Sequence, residues 1–455
     1  MACLFDNIER FGEAPALIGE TNSVVTYRDL IERAHLWTSH ITERSLILIC
    51  CKNDVDCVAG YIGFQRASHV TLLVHHTAKA EHISNIVARF RPSYIFAPDR
   101  SGIYQITRTC LPSPKLHPEL ALLLSTSGTT GSRNFVRITA NNILNNAQSI
   151  VDYLGVTKND RAITTMPMSY SYGLSIIHSH MMIGASIILT EAPLISPVFW
   201  NKLKELHATS LNGVPFIYEM LKKLNFEKME LPDIRYLTQA GGKLSIELTR
   251  EFIEIAEHKK IKFIAMYGQT EATARLSYLP WEYAKSKAGS IGQGIPGVSL
   301  SLVDETGSVI QESNKEGELV CTGANISMGY ACEAPDLEKP DENLGALYTG
   351  DVAMRDEDGF YFIVGRKKRI LKIFGTRINL DEVEELLNRA GHSCACTGTD
   401  DCLKIYVVGS TSATMATLRN LISINPTGLK IIPIEAIPYT ETGKINYKYL
   451  REMGP

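Results

Sequence analysis

At roughly 100–200 residues per domain, the 455 residues hold about two to four domains, and 45% hydrophobic with 21% charged side chains is the balance of an ordinary globular chain. The 46 lysines and arginines against 49 aspartates and glutamates leave a net charge of −3. Bulk electrostatics therefore prepares no surface for a polyanion, and nucleic acid is excluded as a default partner. Ten cysteines, with Cys50 and Cys51 adjacent and Cys394 and Cys396 one apart, suit neither a disulfide framework nor zinc knuckles.

Asp6 and Glu9 stand where a signal peptide needs a basic start. No run reaches about 18 uninterrupted apolar residues, and the most apolar stretch, 176–189, is broken by His178 and His180. These features predict a cytoplasmic chain with reduced thiols and no membrane partner. In chain order, residues 27–40 read as a helix, 46–50 and 70–74 as buried strands, and 78–90 as a second helix. That alternation predicts an α/β layer with parallel strands. The rhythm returns in strand 185–189, helices 199–206 and 246–258 and strand 261–266, so two α/β layers fit before residue 280.

From residue 299 the pattern changes to two-residue alternation with turn signals, which predicts a small β-barrel subdomain over about 299–365. A strand at 360–364 is followed by five cations within 365–372, where a boundary falls. The expected fold class is α/β: a large N-terminal domain, 1–365, and a small α+β C-terminal domain, 366–455. The latter carries a helix at 381–387 with Asn379 ahead of it and a strand at 404–408.

The apolar run 122–124 leads into Thr126-Ser127-Gly128-Thr129-Thr130-Gly131. Glycines let backbone N–H groups turn inward on a phosphate and hydroxyls add donors; by itself the segment is either such a cradle or a polar surface loop. It is not the common P-loop, whose second glycine would fall on Arg133. A second glycine pattern, Gly292, Gly294 and Gly297, follows a polar stretch instead of a strand, contains Pro296 and precedes a strand, so it is no dinucleotide fingerprint.

As an ordered set the segments resemble the adenylate-forming superfamily, which includes acyl-CoA synthetases, adenylation domains and carrier-protein ligases. The phosphate segment at 126–131 is joined by Met166-Pro167-Met168-Ser169-Tyr170-Ser171-Tyr172-Gly173, with Tyr170 where the superfamily carries histidine. Gln239-Ala240-Gly241-Gly242, Tyr267-Gly268-Gln269-Thr270-Glu271, Tyr348-Thr349-Gly350-Asp351, Gly365-Arg366 and Gly443-Lys444 complete it. The resemblance implies that a carboxylate attacks the α-phosphorus of ATP, expels pyrophosphate, and passes from the acyl-adenylate to a thiol. It also implies a C-terminal domain that moves about a hinge at Lys368. Lys444 would be the cation at the carboxylate and α-phosphate, Thr270 a donor to that phosphate, and Glu271 the Mg²⁺ ligand. Tyr267, Gly268, Gln269, Gly241 and Gly242 would surround the adenylate, and Asp351 would accept from the ribose with Arg366 nearby. Tyr170, Ser171, Tyr172, Val214, Ala240, Gly241 and Met266 would line the acid pocket.

Two departures matter. Asn134 stands where the phosphate segment usually has lysine, leaving Arg133 or Arg137 as substitute cations. Ser171 stands where amino-acid-activating relatives place an aspartate, so an acid without an α-amino group is expected. The acceptor would be coenzyme A or the phosphopantetheine of a separate carrier protein. The alternatives are a catalytically weakened nucleotide-binding regulator and an amino-acid adenylating enzyme acting on a carrier.

Overall fold

Leucine- and isoleucine-rich runs form buried strands, and amphipathic stretches form helices within one or two residues of the pattern that predicts them. A computed structural model describes residues 3–125, 134–373, 376–399, 402–421, 428–440 and 444–453. The hydroxyl-rich segment Thr126 to Gly131 lies outside the described residues. The fold is α/β, with Tyr27–Thr38 and Ala80–Phe90 as helices and Leu46–Cys51 and Val70–His75 as strands. The first helix starts where it does because Thr26 and Asp29 form a reciprocal capping box.

Among the described residues, those within Met1–Ser127, Gly131–Ser299 and Cys321–Leu347 form one compact unit. It holds a seven-stranded and a nine-stranded sheet. At the centre of the first, Leu46–Cys51 and Val70–His75 pair in parallel, and Val70–His75 pairs in parallel with Leu120–Ser125. In the second, Ser210–Gly213, Tyr236–Gln239 and Lys262–Tyr267 are parallel neighbours. One core joins Ile47, Ile49, Leu122 and Leu124 of the first sheet to Leu17, Ile187 and Leu189 of the second. The helix Ser171–Met182 supplies Leu174, Ile177 and Met181 to it.

The second unit takes Leu300–Val320 and Tyr348–Pro455. Where the sequence predicts a small barrel, strands Val298–Val303, Glu316–Gly323, Ala346–Arg355 and Tyr361–Arg366 make a four-stranded sheet in that order. Further along, Ser393–Thr399, Cys402–Val408 and Leu429–Ile434 make a three-stranded sheet. The helix Leu380–Arg389 packs on it, its N-terminus capped by the Asn379 side chain accepting from the Asp381 N–H. No described helix is long and apolar enough to cross a membrane.

His178 and His180 explain why the most apolar helix is interrupted by polar residues. His178 Nε2 lies 2.8 Å from the Tyr61 hydroxyl, and His180 Nδ1 lies 2.9 Å from the Ile176 carbonyl. Burial holds the first near pKa 3 and the second near 4, and burial with the neighbouring Arg44 charge holds His69 near 4. Unfolded, each would titrate at about 6.5, so below that pH the unfolded chain takes up protons that the native state refuses. Stability is therefore expected to fall as pH drops from 6.5 to about 4, by up to about 1.4 kcal/mol per pH unit for each histidine. Urea unfolding at pH 7.5, 6.0 and 5.0 measures the slope, and His178→Asn should remove about a third of it.

Candidate active site

The register of three parallel strands sets the site. Gly213 pairs with Gln239 and Gln239 with Ala265, so the strands end nearly level. Val214, the segment Ala240-Gly241-Gly242 and the segment Gly268-Gln269 after Tyr267 all leave the sheet at its carboxyl edge, where open α/β sheets bind ligands. Thr238 locks that edge. Its carbonyl accepts from Tyr218 at 2.7 Å and from Tyr172 at 3.0 Å, and its hydroxyl donates to Asn212 Oδ1 at 2.6 Å. The start of helix Ser171–Met182 is thereby fixed to the middle strand.

Tyr170, Tyr172, Val214, Ala240 and Met266 fall in one buried cluster with Met166 and Ile264. Gly241 joins them: a Cβ there would sit 2.7 Å from the Tyr170 hydroxyl and 2.9 Å from Val214 Cγ1, and its φ of +82° is itself a glycine conformation. Burial pushes the Tyr170 and Tyr172 phenols up to about 12, so both remain neutral near pH 7. Ser171 Oγ lies 3.3 Å from Thr270 Oγ1, which brings the expected acid-pocket and phosphate-side residues together.

After Tyr267 the backbone doubles back so closely that a Cβ on Gly268 would fall 1.9 Å from the Ala274 carbonyl oxygen. Gln269 Nε2 donates to the Tyr267 hydroxyl at 3.1 Å. Thr270–Ala272 is a single 3-10 turn, and Gln269 ahead of it makes no side-chain capping hydrogen bond. The Glu271 carboxylate accepts from the Tyr330 hydroxyl at 2.6 Å, and burial followed by this carboxylate's charge raises the Tyr330 phenol well above its ordinary range. Among the described residues no group of three His, Cys, Asp or Glu side chains could cage a metal. One anchored carboxylate beside the Thr270 hydroxyl instead fits Mg²⁺, which binds through one or two carboxylates plus substrate phosphates.

In the second unit Asp351 and Arg366 face each other across paired strands, with Nε to Oδ1 at 2.7 Å. The Thr349 hydroxyl accepts from the Asp351 N–H and donates to the Leu319 carbonyl. Lys444 is bonded to Thr440: its carbonyl accepts from the Thr440 N–H at 2.7 Å and its N–H donates to Thr440 Oγ1 at 3.2 Å. Lys368 lies in the 3-10 turn Lys367–Arg369. Its neighbours are internally paired, Lys367 with Glu318, and Arg369 with Asp381 at 2.5 Å and Glu384 at 2.8 Å. Within this run of cations Arg366, Lys367 and Arg369 are each paired with a carboxylate.

The structure corrects one expectation. Arg137, offered as a substitute phosphate cation, is fully buried; it bonds Glu342 at 2.6 Å and the carbonyls of Lys339, Met328 and Pro340 at 2.6, 2.7 and 3.2 Å. Its two terminal nitrogens are committed to holding that loop. Asn134 accepts from the Cys332 thiol at 3.1 Å, and Arg133 lies outside the described residues. Sequence reasoning also missed Tyr330, 59 positions from the carboxylate it holds, which carries no local signal.

Comparison with known proteins gives the class. Residues 4–331 match the family of AMP-binding enzymes. The chain is 30% identical to an oxalate–CoA ligase of Arabidopsis thaliana over 60% of this chain and 53% of that protein. It is 27% identical to a medium-chain fatty-acid–CoA ligase of Escherichia coli K12 over 73% and 61%. It is 25% identical to 4-coumarate-CoA ligase 1 of Narcissus pseudonarcissus over 98% and 92%. In the first relatives the match thus spans about half to three-fifths of their length. Its fold is similar to ATP-bound MatB from Rhodopseudomonas palustris, at TM-score 0.81 and 20% identity with 99% of both chains covered. It is equally similar to MenE from Bacillus subtilis in complex with ATP and magnesium, at TM-score 0.81 and 19% identity over 99% of each chain. The chain belongs to the AMP-binding enzyme family.

Arg137→Met is expected to cost on the order of 3 kcal/mol in urea unfolding, because it leaves Glu342 and three carbonyls without their donor. It should leave the KM for ATP within about twofold, where loss of a phosphate ligand would raise it at least tenfold.

Proposed function

We propose that the protein activates a small or medium carboxylic acid lacking an α-amino group as an acyl-adenylate and transfers it to a phosphopantetheine thiol, that of coenzyme A in the first instance. The observation that carries this is the convergence of Thr270, Ser171 and the Tyr170–Gly241 cluster at the carboxyl edge of the sheet. The relatives named as CoA ligases support coenzyme A over a carrier protein. The neutral Ser171 hydroxyl supports an acid with no buried ammonium to balance.

The central difficulty of the first step is charge. A carboxylate oxygen attacks the α-phosphorus, the bond to the bridging oxygen of pyrophosphate breaks, and negative charge accumulates where donors must already be placed. Thr270 donates to the α-phosphate and Lys444 neutralises the carboxylate and phosphate oxygens. Mg²⁺, held by Glu271 and oriented by Tyr330, would supply charge neutralisation on the phosphates. Thr126 to Gly131 cradle those phosphates, Tyr267 lies along the adenine between Gly241-Gly242 and Gly268-Gln269, and Asp351 with Arg366 holds the ribose. In this reading residues 366–455 form a small domain that pivots at Lys368 between the two half-reactions.

A weakened enzyme is the second reading. It is favoured by Asn134 in place of lysine together with the commitment of Arg137 to Glu342, which leaves Arg133 as the one remaining candidate of the two.

ATP–pyrophosphate exchange over a panel of carboxylic acids tests the proposal. At least one acid should support exchange, and Lys444→Ala should lower it on the order of 100-fold while nucleotide binding persists. Exchange with no acid, alongside intact ATP binding, would favour the weakened reading, and a gain of exchange in Asn134→Lys would establish it.

A further inference from the structure

Three arginines are buried among the described residues: Arg137, Arg275 and Arg369. Arg137 is paired with Glu342, and Arg369 with Asp381 and Glu384. Arg275, 3% exposed, has no carboxylate partner among the described residues, and its Nε has no hydrogen-bond partner there. A buried guanidinium costs several kcal/mol to desolvate unless an anion compensates it.

What surrounds Arg275 is the aromatic cluster expected to line the acid pocket. Its guanidinium lies 4.0 Å from the centroid of the Tyr172 ring, and its charge acts on the nearby Tyr153 phenol. Tyr153 in turn reaches Met266 Sδ at 2.9 Å and stacks on Tyr278. None of these phenols supplies the missing charge: burial raises Tyr170, Tyr172 and Tyr153 well above neutrality, with the Arg275 charge pulling back only in part. The backbone beneath is rigid, because the Arg275 carbonyl accepts from Asn146 Nδ2 at 3.1 Å and from Asn325 Nδ2 at 2.8 Å. A cation–π contact stabilises the guanidinium without neutralising it.

We propose that Arg275 receives a second carboxylate on the substrate, so that the acid activated here is a dicarboxylic acid whose distal group pairs with this guanidinium. The inference rests on the acid-activating reading and names the substrate class of that same pocket. An arginine presents a planar fork matched to a carboxylate, and the aromatic and methionine walls exclude the water that would weaken the pair. Because Arg275 follows Glu271 by four residues on a backbone fixed at Gly268, the distal carboxylate would be read by the same turn that carries the phosphate-side residues.

Matched pairs of acids of equal length test it, butyrate against succinate, pentanoate against glutarate and benzoate against phthalate, in ATP–pyrophosphate exchange with the full chain. The wild type should favour the diacid of at least one pair by on the order of 100-fold in kcat/KM. Arg275→Met should collapse that ratio towards one, and Arg275→Lys should restore part of it. A wild type that uses monoacids as well as diacids would overturn the proposal. So would an Arg275→Met variant that loses both members of each pair equally, which is the signature of a packing role. Thermal unfolding of the wild type with each acid and AMP separates the two levels of inference. Protection by diacids alone, absent in Arg275→Met, supports the anion site even if no acid supports exchange and the ligase reading fails. No exchange and no selective protection overturns both.

Discussion

The carbonyl and hydroxyl of Thr238 tie the site together. Two tyrosines from two different helices donate toward the same backbone oxygen, and the hydroxyl beside it bonds the neighbouring strand through Asn212. Each such bond is worth only about 1 kcal/mol net, yet together they fix the entry of helix Ser171–Met182 against the level carboxyl ends of three strands. Tyr170, Ser171 and Tyr172 inherit their positions from that junction. So does the 3.3 Å approach of Ser171 to Thr270, which joins residues expected on the acid side to residues expected on the phosphate side.

A second constraint is electrostatic. Reactions between an anionic nucleophile and a polyanion need fixed positive charge, and fixed charge is costly to bury. The chain uses its buried arginines in two different ways. Arg137 and Arg369 are paired with carboxylates and carbonyls and act as internal struts. Arg275 lies against a ring face and has no carboxylate partner among the described residues. Sequence position does not separate these roles; the identity of the facing groups does.

Much of the fold was legible because it is local. Runs such as 46–50 and 70–74 declare buried strands by composition, and Asn379 ahead of a helical pattern declares a cap that the structure contains. The glycines of the site were legible as motif members, and their physical reason appeared only in three dimensions: Gly241 clears the Tyr170 hydroxyl, and Gly268 clears the Ala274 carbonyl. Long-range partnerships were not legible. Arg137 meets Glu342 across 205 positions and Tyr330 meets Glu271 across 59, so an arginine near a phosphate segment read as a phosphate ligand when it is a strut. Arg275 carried no pattern, because an unpaired buried cation is defined by what fails to surround it.

The central claim is that the carboxyl ends of Ser210–Gly213, Tyr236–Gln239 and Lys262–Tyr267 hold the nucleotide. Hydrogen–deuterium exchange with and without Mg-ATP tests it directly, because it reads the location of binding independently of turnover. Slowed exchange in peptides covering 239–244 and 267–272 is the expected result. Protection confined to the glycine pattern at 292–297, or unaltered exchange at both strand ends under saturating nucleotide, would contradict it.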